Sequence, residues 1–314
     1  MDQIPSLDLV RRFLDASRSE KNLGHRTLKA YTSDLEQFVR FLGSRSMLSL
    51  DVNDLREYVK FLEERGLKDT SIKRKLACIK VFFAFLCSEG LINSSPVKRL
   101  GRRFKTRTTL PRAMSLEDVS RLLRCVNNGV RSAKREGMLE RYRAIRDRAI
   151  LELLFSTGMR VDEVTLLNVE DLDLISGQVR ISGKGRKERL VYITSPEVTD
   201  CLKSYMSARG SLSPATEAIF LNRSKSRLGP GTIGSIFKRF AALAGITTHY
   251  TPHCLRHTMA TMLVENGADI RSIQEILGHS RISTTEIYLH VSSSRQREVL
   301  TRFNGRNNIH VTGR

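Results

Sequence analysis

Apolar side chains recur at helical spacing through the first hundred residues of the chain. One set, within residues 31–42, falls on a single face of a helix, and a second set does so within residues 72–86. Between them, Asp51 and Asp54 have the spacing of a capping box ahead of a third apolar stripe. Gly90 follows the last stripe and marks its end. The pattern predicts an N-terminal bundle of about four helices.

A polar and basic segment follows the predicted bundle. From Asn93 to Pro111 few residues can be buried, whereas lysine and arginine are frequent. We therefore predict an N-terminal domain over residues 1–95 and an interdomain linker over residues 96–113. Such a linker is well placed to cross a phosphate backbone, although the same composition also suits a flexible segment without a partner.

The pattern beyond the linker predicts a second domain over residues 114–291. A strongly apolar helix ends at Thr157-Gly158, and the remainder is mainly helical. Residues 178–182 and 189–194 read as two strands on either side of a charged, glycine-containing tip, and the apolar run 219–221 is predicted as a third. The predicted fold class is therefore mainly α, with a small three-stranded antiparallel sheet in the second domain.

The charge balance points to a polyanionic partner. Of 314 residues, 53 are lysine or arginine and 33 are aspartate or glutamate, which gives a net charge of +20. Nucleic acid is the first candidate, and a basic surface without a partner is the alternative. None of the five cysteines forms a C-x-x-C pair, and neither a signal peptide nor a membrane-spanning run is recognisable. We expect a cytoplasmic protein with no membrane partner.

Candidate anion-binding residues lie at two predicted helix starts in the second domain. His253 and Arg256 are three residues apart at the beginning of one helix, so they share a face at an N terminus, where anions bind. Arg160 follows the end of the apolar helix, and its guanidinium is shaped to bind a phosphate through two hydrogen bonds. Glu163, three residues further on, can orient that guanidinium.

Three further candidates lie in predicted turns or short segments. Lys184 is at the hairpin tip, where a lysine could protonate a leaving alkoxide, but the residues alone do not distinguish it from Lys187. His279 follows a helix end at Leu277-Gly278, and Tyr288 is a potential oxygen nucleophile. A tyrosine at such a position is otherwise a common packing residue.

The histidine-rich region has two other interpretations, a zinc site and a helix-turn-helix. His249, His253 and His257 recur every four residues, as zinc ligands on a helix can, but no cysteine pair or suitable carboxylate joins them. We therefore predict no metal site and expect His257 to be structural. Residues 260–263 and 270–277, separated by Gly267, also fit the helix-turn-helix of a DNA-binding regulator.

Three sequence blocks resemble the tyrosine recombinases, the lambda-integrase family, and are most similar to its Xer-like branch. They are residues 157–163, residues 183–189, and residues 252–257 continued through Leu277-Gly278-His279 to Tyr288. The resemblance covers nearly the whole chain. It implies an N-terminal four-helix core-binding domain of the SAM-like type and a mostly helical catalytic domain.

The resemblance also implies a role for each candidate residue. Arg160 and Arg256 would bind the scissile phosphate, with His279 hydrogen-bonded to a non-bridging oxygen and Glu163 supporting the first arginine. Three others would carry the chemistry: Tyr288 as nucleophile, His253 assisting proton handling at that nucleophile, and Lys184 as the general acid. The product would be a 3′-phosphotyrosyl bond, followed by a Holliday junction. No metal, ATP or other cofactor is implied.

The implied partner is double-stranded DNA with short inverted-repeat core sites. The implied assembly is a homo-tetramer on two synapsed sites, or a hetero-tetramer with a paralogous recombinase. Positively charged residues that could contact this DNA, or could equally be solvated, are Lys73, Arg74, Lys75, Arg102, Arg103, Lys105, Arg186, Lys187, Lys238 and Arg239.

The tail and the biological role complete the expectations. In the tail, residues 292–314, the apolar residues Val299, Leu300 and Phe303 could dock into a neighbouring protomer, and a frayed tail is the alternative. The length of segment 127–142 and the high net charge favour integration, excision or resolution of a mobile element. The alternatives are Xer-type chromosome or plasmid dimer resolution, a type IB topoisomerase, and a non-catalytic helix-turn-helix regulator.

Overall fold

The computed structural model describes most of the chain as two compact units, residues 1–109 and 110–314. The residues that it describes are 5–19, 23, 25–100, 113–133, 135–182, 188–278 and 293–309.

Four helices form the first unit: α1 (Ser6–Ser19), α2 (His25–Leu42), α3 (Val52–Glu64) and α4 (Asp69–Ser88). The predicted capping box is confirmed, because the Asp51 carboxylate accepts hydrogen bonds from the backbone N–H groups of Asn53 and Asp54, and the Asp54 carboxylate accepts one from the backbone of Asp51. The core between the helices is rich in aromatic rings, among them Phe13, Phe38, Tyr58, Phe82 and Phe83.

The beginning of the predicted linker packs on the first unit. Residues Pro96–Arg99 form a 3-10 turn against α3 and α4. Val97 and Leu100 contact the aromatic core. The bundle therefore extends beyond residue 95, and residues 101–112 lie outside the described part of the chain.

Eight described helices form most of the second unit. They are α5 (Leu116–Ala133), α6 (Met138–Thr157), α7 (Val161–Leu166), α8 (Pro196–Gly210), α9 (Pro230–Leu243), α10 (Pro252–Glu265), α11 (Ile270–Leu277) and α12 (Ser293–Phe303). Helix α6 is central: it packs against α5, α8 and α10, and residues 149–157 are all buried. Its buried end leads directly to Arg160.

The second unit also contains a three-stranded antiparallel sheet, in the order β1 (Leu172–Asp173), β2 (Gln178–Ser182) and β3 (Glu188–Tyr192). The two predicted hairpin strands are β2 and β3. The prediction of a third strand at residues 219–221 is wrong. These residues are buried, but this segment forms only isolated β-bridges, at Ala218 and Leu221. The third strand of the sheet is β1. A short apolar run is buried equally well in an irregular segment, so its hydrophobicity did not distinguish the two structures.

The C-terminal segment packs against its own second unit. Val299 and Leu300 are buried in the core of that unit, and Phe303 contacts the same core. A frayed tail is therefore excluded for residues 293–309 in this chain. Docking of this segment into a neighbouring protomer stays a prediction, and within the single chain the three apolar residues have a partner surface in the same molecule.

Candidate active site

A tight turn after α6 places Arg160. The helix ends at Thr157, and Gly158 adopts a left-handed conformation with φ of +63°. A Cβ atom at Gly158 would lie 2.9 Å from Leu277 and 3.1 Å from Met259, so the turn needs glycine for space as well as for conformation. Arg160 is the residue directly before α7, at its N-cap position.

Glu163 fixes Arg160 in two ways. Its Oε2 atom accepts the backbone N–H of Arg160 at 2.8 Å, and its Oε1 atom accepts Nη1 of the Arg160 guanidinium at 2.9 Å. Glu163 therefore makes the contact with the Arg160 guanidinium that the three-residue spacing predicted. Nη2 of Arg160 also approaches the carbonyl oxygen of Gly278 at 3.4 Å.

A second arginine binds the same carboxylate. Arg189, on β3, donates from Nη1 to Oε1 of Glu163 at 2.9 Å and from Nη2 to Oε2 at 2.7 Å. From the sequence, Arg189 was only a strand residue beside the charged tip that could contact DNA, and its bond to Glu163 was not predicted. Its position in the strand was a usable signal, because it lies two residues before the fully buried Val191 and so on the same face of the sheet.

The Glu163 carboxylate is strongly held in its charged form. Burial opposes ionisation, but hydrogen bonds from Arg189 and Arg160, together with the charge of Arg189, lower the pKa of Glu163 to about 2. The carboxylate therefore remains a negative partner for both arginines throughout the physiological pH range.

Arg256 reaches the same turns from α10. Its Nη1 atom donates to the carbonyl oxygen of Gly158 at 2.7 Å, and its Nη2 atom donates to that of Leu277 at 2.6 Å. Burial lowers the pKa of Arg256 to about 10, and the nearby positive charges of Arg160 and Arg189 add to this effect. The site therefore has more positive charge than its single carboxylate balances, which is favourable for an anion.

The other predicted residues on α10 are less enclosed. His253 is exposed in the first turn of the helix, and His257 is half-buried one turn later. Thr258, which is buried, accepts a hydrogen bond at 2.7 Å from the backbone N–H of Met114 and donates one at 2.8 Å to the carbonyl of Cys254. The helix that carries Arg256 is thus anchored to Met114, two residues before α5.

Three predicted catalytic residues, Lys184, His279 and Tyr288, lie outside the described residues. The ends that flank them are described. Ser182 and Glu188 form the last pair of the β2–β3 ladder before the tip, and Gly278 ends α11 in a left-handed conformation directly before His279.

Eight of the ten candidate DNA-binding cations fall into three groups in the structure. Lys73 and Lys238 are exposed and face solvent. Arg239 is exposed but bound to the buried Asp147 at 2.6 Å. The residues outside the described part of the chain are Arg102, Arg103, Lys105, Arg186 and Lys187.

Lys75 requires a correction. It is buried, and its Nζ atom donates to Oδ1 of Asp34 at 2.8 Å, so it does not face a phosphate backbone. Arg74 binds the same buried carboxylate through both of its terminal nitrogens but leaves half of its side chain exposed. Consecutive helical residues are 100° apart, so Lys73, Arg74 and Lys75 could not all share one face.

Two other features are absent from the residues that the structure describes. Among them, no helix has the length and apolar character that crossing a membrane requires. The same part of the chain contains no group of three or more histidine, cysteine, aspartate or glutamate side chains that could hold a metal ion.

Comparison with known proteins gives the class of enzyme. The model of the phage integrase family matches residues 114–295, and that of the phage integrase N-terminal SAM-like domain matches residues 10–90. A tyrosine recombinase of Agathobacter rectalis is 34% identical over 96% of this chain and 97% of its own. Tyrosine recombinase XerD of Halalkalibacterium halodurans is 35% identical over 95% and 97%, and XerC of Chlorobaculum tepidum is 35% identical over 92% of each chain. The chain therefore belongs to the phage integrase family, as a tyrosine recombinase, an enzyme of site-specific DNA recombination.

Solved structures agree with the fold. A XerH site-specific recombinase bound to a palindromic difH substrate has a TM-score of 0.68 at 22% identity, over 96% of this chain and 87% of that chain. A lambda integrase tetramer bound to a Holliday junction has a TM-score of 0.65 at 19% identity, over 92% and 80%. The predicted fold class, with a SAM-like N-terminal domain and a mostly helical catalytic domain with a small sheet, is confirmed.

Proposed function

We propose that Arg160 and Arg256 bind the scissile phosphate of double-stranded DNA and that Tyr288 is the nucleophile. The observation that carries this proposal is the meeting of the two arginines at the glycine turns that end α6 and α11. Arg256 lies 98 residues after Gly158, yet it donates to the carbonyl of that glycine and to that of Leu277. Arg160 reaches towards the carbonyl of Gly278 in the second turn.

The proposed reaction is an exchange of one phosphodiester for another. The hydroxyl oxygen of Tyr288 forms a bond to phosphorus while the bond from phosphorus to the 5′ oxygen breaks, and the negative charge is shared among the phosphate oxygens. His253 accepts the tyrosine proton, Lys184 delivers a proton to the leaving 5′ oxygen, and His279 binds a non-bridging oxygen. The two arginines stabilise the charge that develops on the phosphate. The bond energy is retained in the phosphotyrosyl bond, so the cycle needs no ATP.

We propose that the DNA carries short inverted-repeat core sites and that four protomers, identical or shared with a paralogue, act on two synapsed sites. The net charge of +20 supports a DNA partner. The lambda integrase structure with a similar fold is a tetramer on a Holliday junction, and the XerH structure contains a palindromic substrate. Lys73, Arg74 and Lys238 are described cations with exposed side chains that suit contact with phosphates.

For the biological role, we propose integration, excision or resolution of a mobile element. The net charge and the length of segment 127–142 favoured this role in the sequence. The second candidate is resolution of chromosome or plasmid dimers, which the likeness to XerC and XerD proteins favours. Deletion of the gene separates the two, because only the second role predicts accumulation of unresolved chromosome or plasmid dimers.

A covalent-trapping assay tests the proposed chemistry. The full-length protein is incubated in EDTA with a plasmid that carries the DNA flanking its own gene, and the reaction is stopped with detergent. We expect a DNA-linked protein that is lost in Tyr288→Phe and retained in Tyr250→Phe. Tyr250 is a suitable control because its hydroxyl donates to Asp118 at 3.3 Å and takes part in none of the hydrogen bonds given above for Arg160 and Arg256.

The same assay distinguishes the alternatives. An adduct that persists in Tyr288→Phe would assign the nucleophile to another residue. Tight binding to a specific sequence without any adduct would support a non-catalytic regulator. An adduct that forms without assembly of two DNA sites, together with relaxation of plasmids of any sequence, would support a type IB topoisomerase.

A further inference from the structure

We propose that Arg189 is a positioning residue for DNA strand cleavage, which fixes Arg160 through the carboxylate of Glu163 and joins it to the hairpin that carries Lys184. This inference rests on the proposed function, in which Arg160 binds the scissile phosphate and Lys184 is the general acid. Arg189 itself would touch neither the phosphate nor the nucleophile.

The Glu163 carboxylate is held from two sides. Each oxygen of Glu163 accepts two hydrogen bonds, one from Arg189 and one from Arg160. Without Arg189 each oxygen would keep one partner, and the carboxylate could rotate about its last side-chain bond. The side chain of Arg160 would then lose the rigid acceptor that holds its Nη1 atom at 2.9 Å.

The Arg189 side chain also connects separate chain segments. Arg189 pairs with Ile181 in the β2–β3 ladder. This pair is next to Ser182–Glu188, the pair nearest the hairpin tip. Its Nε atom donates to the carbonyl of Ile276 at 3.4 Å, and its guanidinium lies so close to Gly278 that a Cβ atom there would be 3.0 Å from Nε. One side chain therefore joins the hairpin, the start of α7 and the end of α11, which precedes His279.

The burial and bonding of Arg189 indicate that it acts through Glu163 and not by binding DNA. The side chain is only 17% exposed, compared with 41% for Arg160. Its three nitrogens are all engaged by protein oxygens, at Glu163 and Ile276. A lysine could keep the charge at this position but could not form the two parallel bonds to the carboxylate.

The kinetic test uses the full-length protein, the plasmid of flanking DNA and single-turnover adduct formation at saturating protein. We expect Arg189→Gln to slow adduct formation on the order of 10- to 100-fold, with little change in DNA affinity, and Arg189→Lys to recover only a minor part of the rate. Arg180→Gln is the matched control. It removes one positive charge from the neighbouring strand, where Arg180 is bound to Asp171 and does not contact Glu163.

A double variant separates positioning from direct action. If Arg189 works through Glu163, the Arg189→Gln/Glu163→Gln variant should be no more than about 3-fold slower than Glu163→Gln alone. A result in which the two losses multiply, or in which Arg189→Gln chiefly weakens DNA binding and its salt dependence, would overturn the positioning role.

A readout without DNA comes from the Glu163 carboxyl, followed by ¹³C NMR during an acid titration. The charged groups that face it are Arg160 on the turn before α7, Arg189 on β3 and Arg256 on α10. Loss of Arg189 leaves the burial of Glu163 and removes two of its hydrogen bonds, so its pKa should rise clearly in Arg189→Gln and stay unchanged in Arg180→Gln. An unchanged pKa in Arg189→Gln would refute the link itself. Failure of the wild-type protein to form any adduct would instead overturn the proposed function, and with it the role of Arg189 in cleavage.

Discussion

Replacement of Arg306 by methionine is the most direct test of how the C-terminal segment is held. Arg306 is almost fully buried after α12, and its Nε and Nη2 atoms donate to the two oxygens of Glu152 at 2.6 and 2.9 Å. Nη2 also donates to Glu197 at 3.0 Å, and Nη1 donates to the carbonyl of Ile309 at 2.6 Å. This network joins the C-terminal segment to α6 and α8.

The expected magnitude follows from what the substitution leaves behind. Methionine fills a similar volume, but Glu152, at 1% exposure, would remain buried without a positive partner. Breaking a buried ion pair from one side costs about 3–5 kcal/mol. A domain of ordinary stability has about 5–15 kcal/mol in total. We therefore expect Arg306→Met to lower the urea midpoint of the second unit strongly and to make residues 293–309 sensitive to protease.

The assay is urea unfolding followed by far-UV circular dichroism, because the chain contains no tryptophan. Arg302→Met is the control, since Arg302 lies exposed on α12, just before the turn that carries Arg306, and should change the free energy of unfolding by less than about 0.5 kcal/mol. Adding Glu152→Met to Arg306→Met should recover most of the loss, because the unpaired charge is removed. A loss below about 1 kcal/mol for Arg306→Met, or no recovery in the double variant, would refute the reasoning.

Three further predictions concern the turn, the first unit and acid stability. Gly158→Ala should destabilise the second unit by about 1–3 kcal/mol in urea unfolding and reduce adduct formation, because a Cβ atom clashes with Leu277 at a left-handed residue. Asp51→Ala should cost about 1 kcal/mol in thermal unfolding of the first unit, through loss of the capping box. The pKa of Glu163 is lowered from 4.5 to about 2, so its ionised form adds stability above pH 4.5 that is lost as pH falls towards 2. Unfolding curves of wild-type protein and Glu163→Gln should therefore differ at pH 7 and converge near pH 2.

Local signals in the sequence were sufficient for most of the helix limits. A capping box and a left-handed glycine each act within a few residues, so Asp51 and Gly158 could be assigned correctly without any tertiary information. The spacing of Arg160 and Glu163 likewise predicted a real contact, because both residues lie within one turn.

Contacts between distant segments were the part that the sequence did not reveal. The misassigned Lys75 binds Asp34, which is 41 residues away. A signal was nevertheless present, since Asp34 interrupts the apolar stripe of α2 and a buried carboxylate needs a positive partner. The partner of Arg189 was missed for the same reason, because Glu163 lies 26 residues earlier.

The hydrogen-bond acceptors around an arginine in this chain indicate whether its role is structural or is to bind an anion. Arg306 is surrounded by two carboxylates, so its charge is neutralised where it lies and it serves to hold the C-terminal segment. Arg256 is oriented by two backbone carbonyls, which fix its direction without cancelling its charge. Arg256, Arg160 and Arg189 place three positive charges against the single negative charge of Glu163. Burial lowers the pKa of Arg256, and the charges of Arg160 and Arg189 lower it further. A bound phosphodiester supplies negative charge and reduces the repulsion between these arginines. This favours binding of the phosphate at the position where we propose that cleavage occurs.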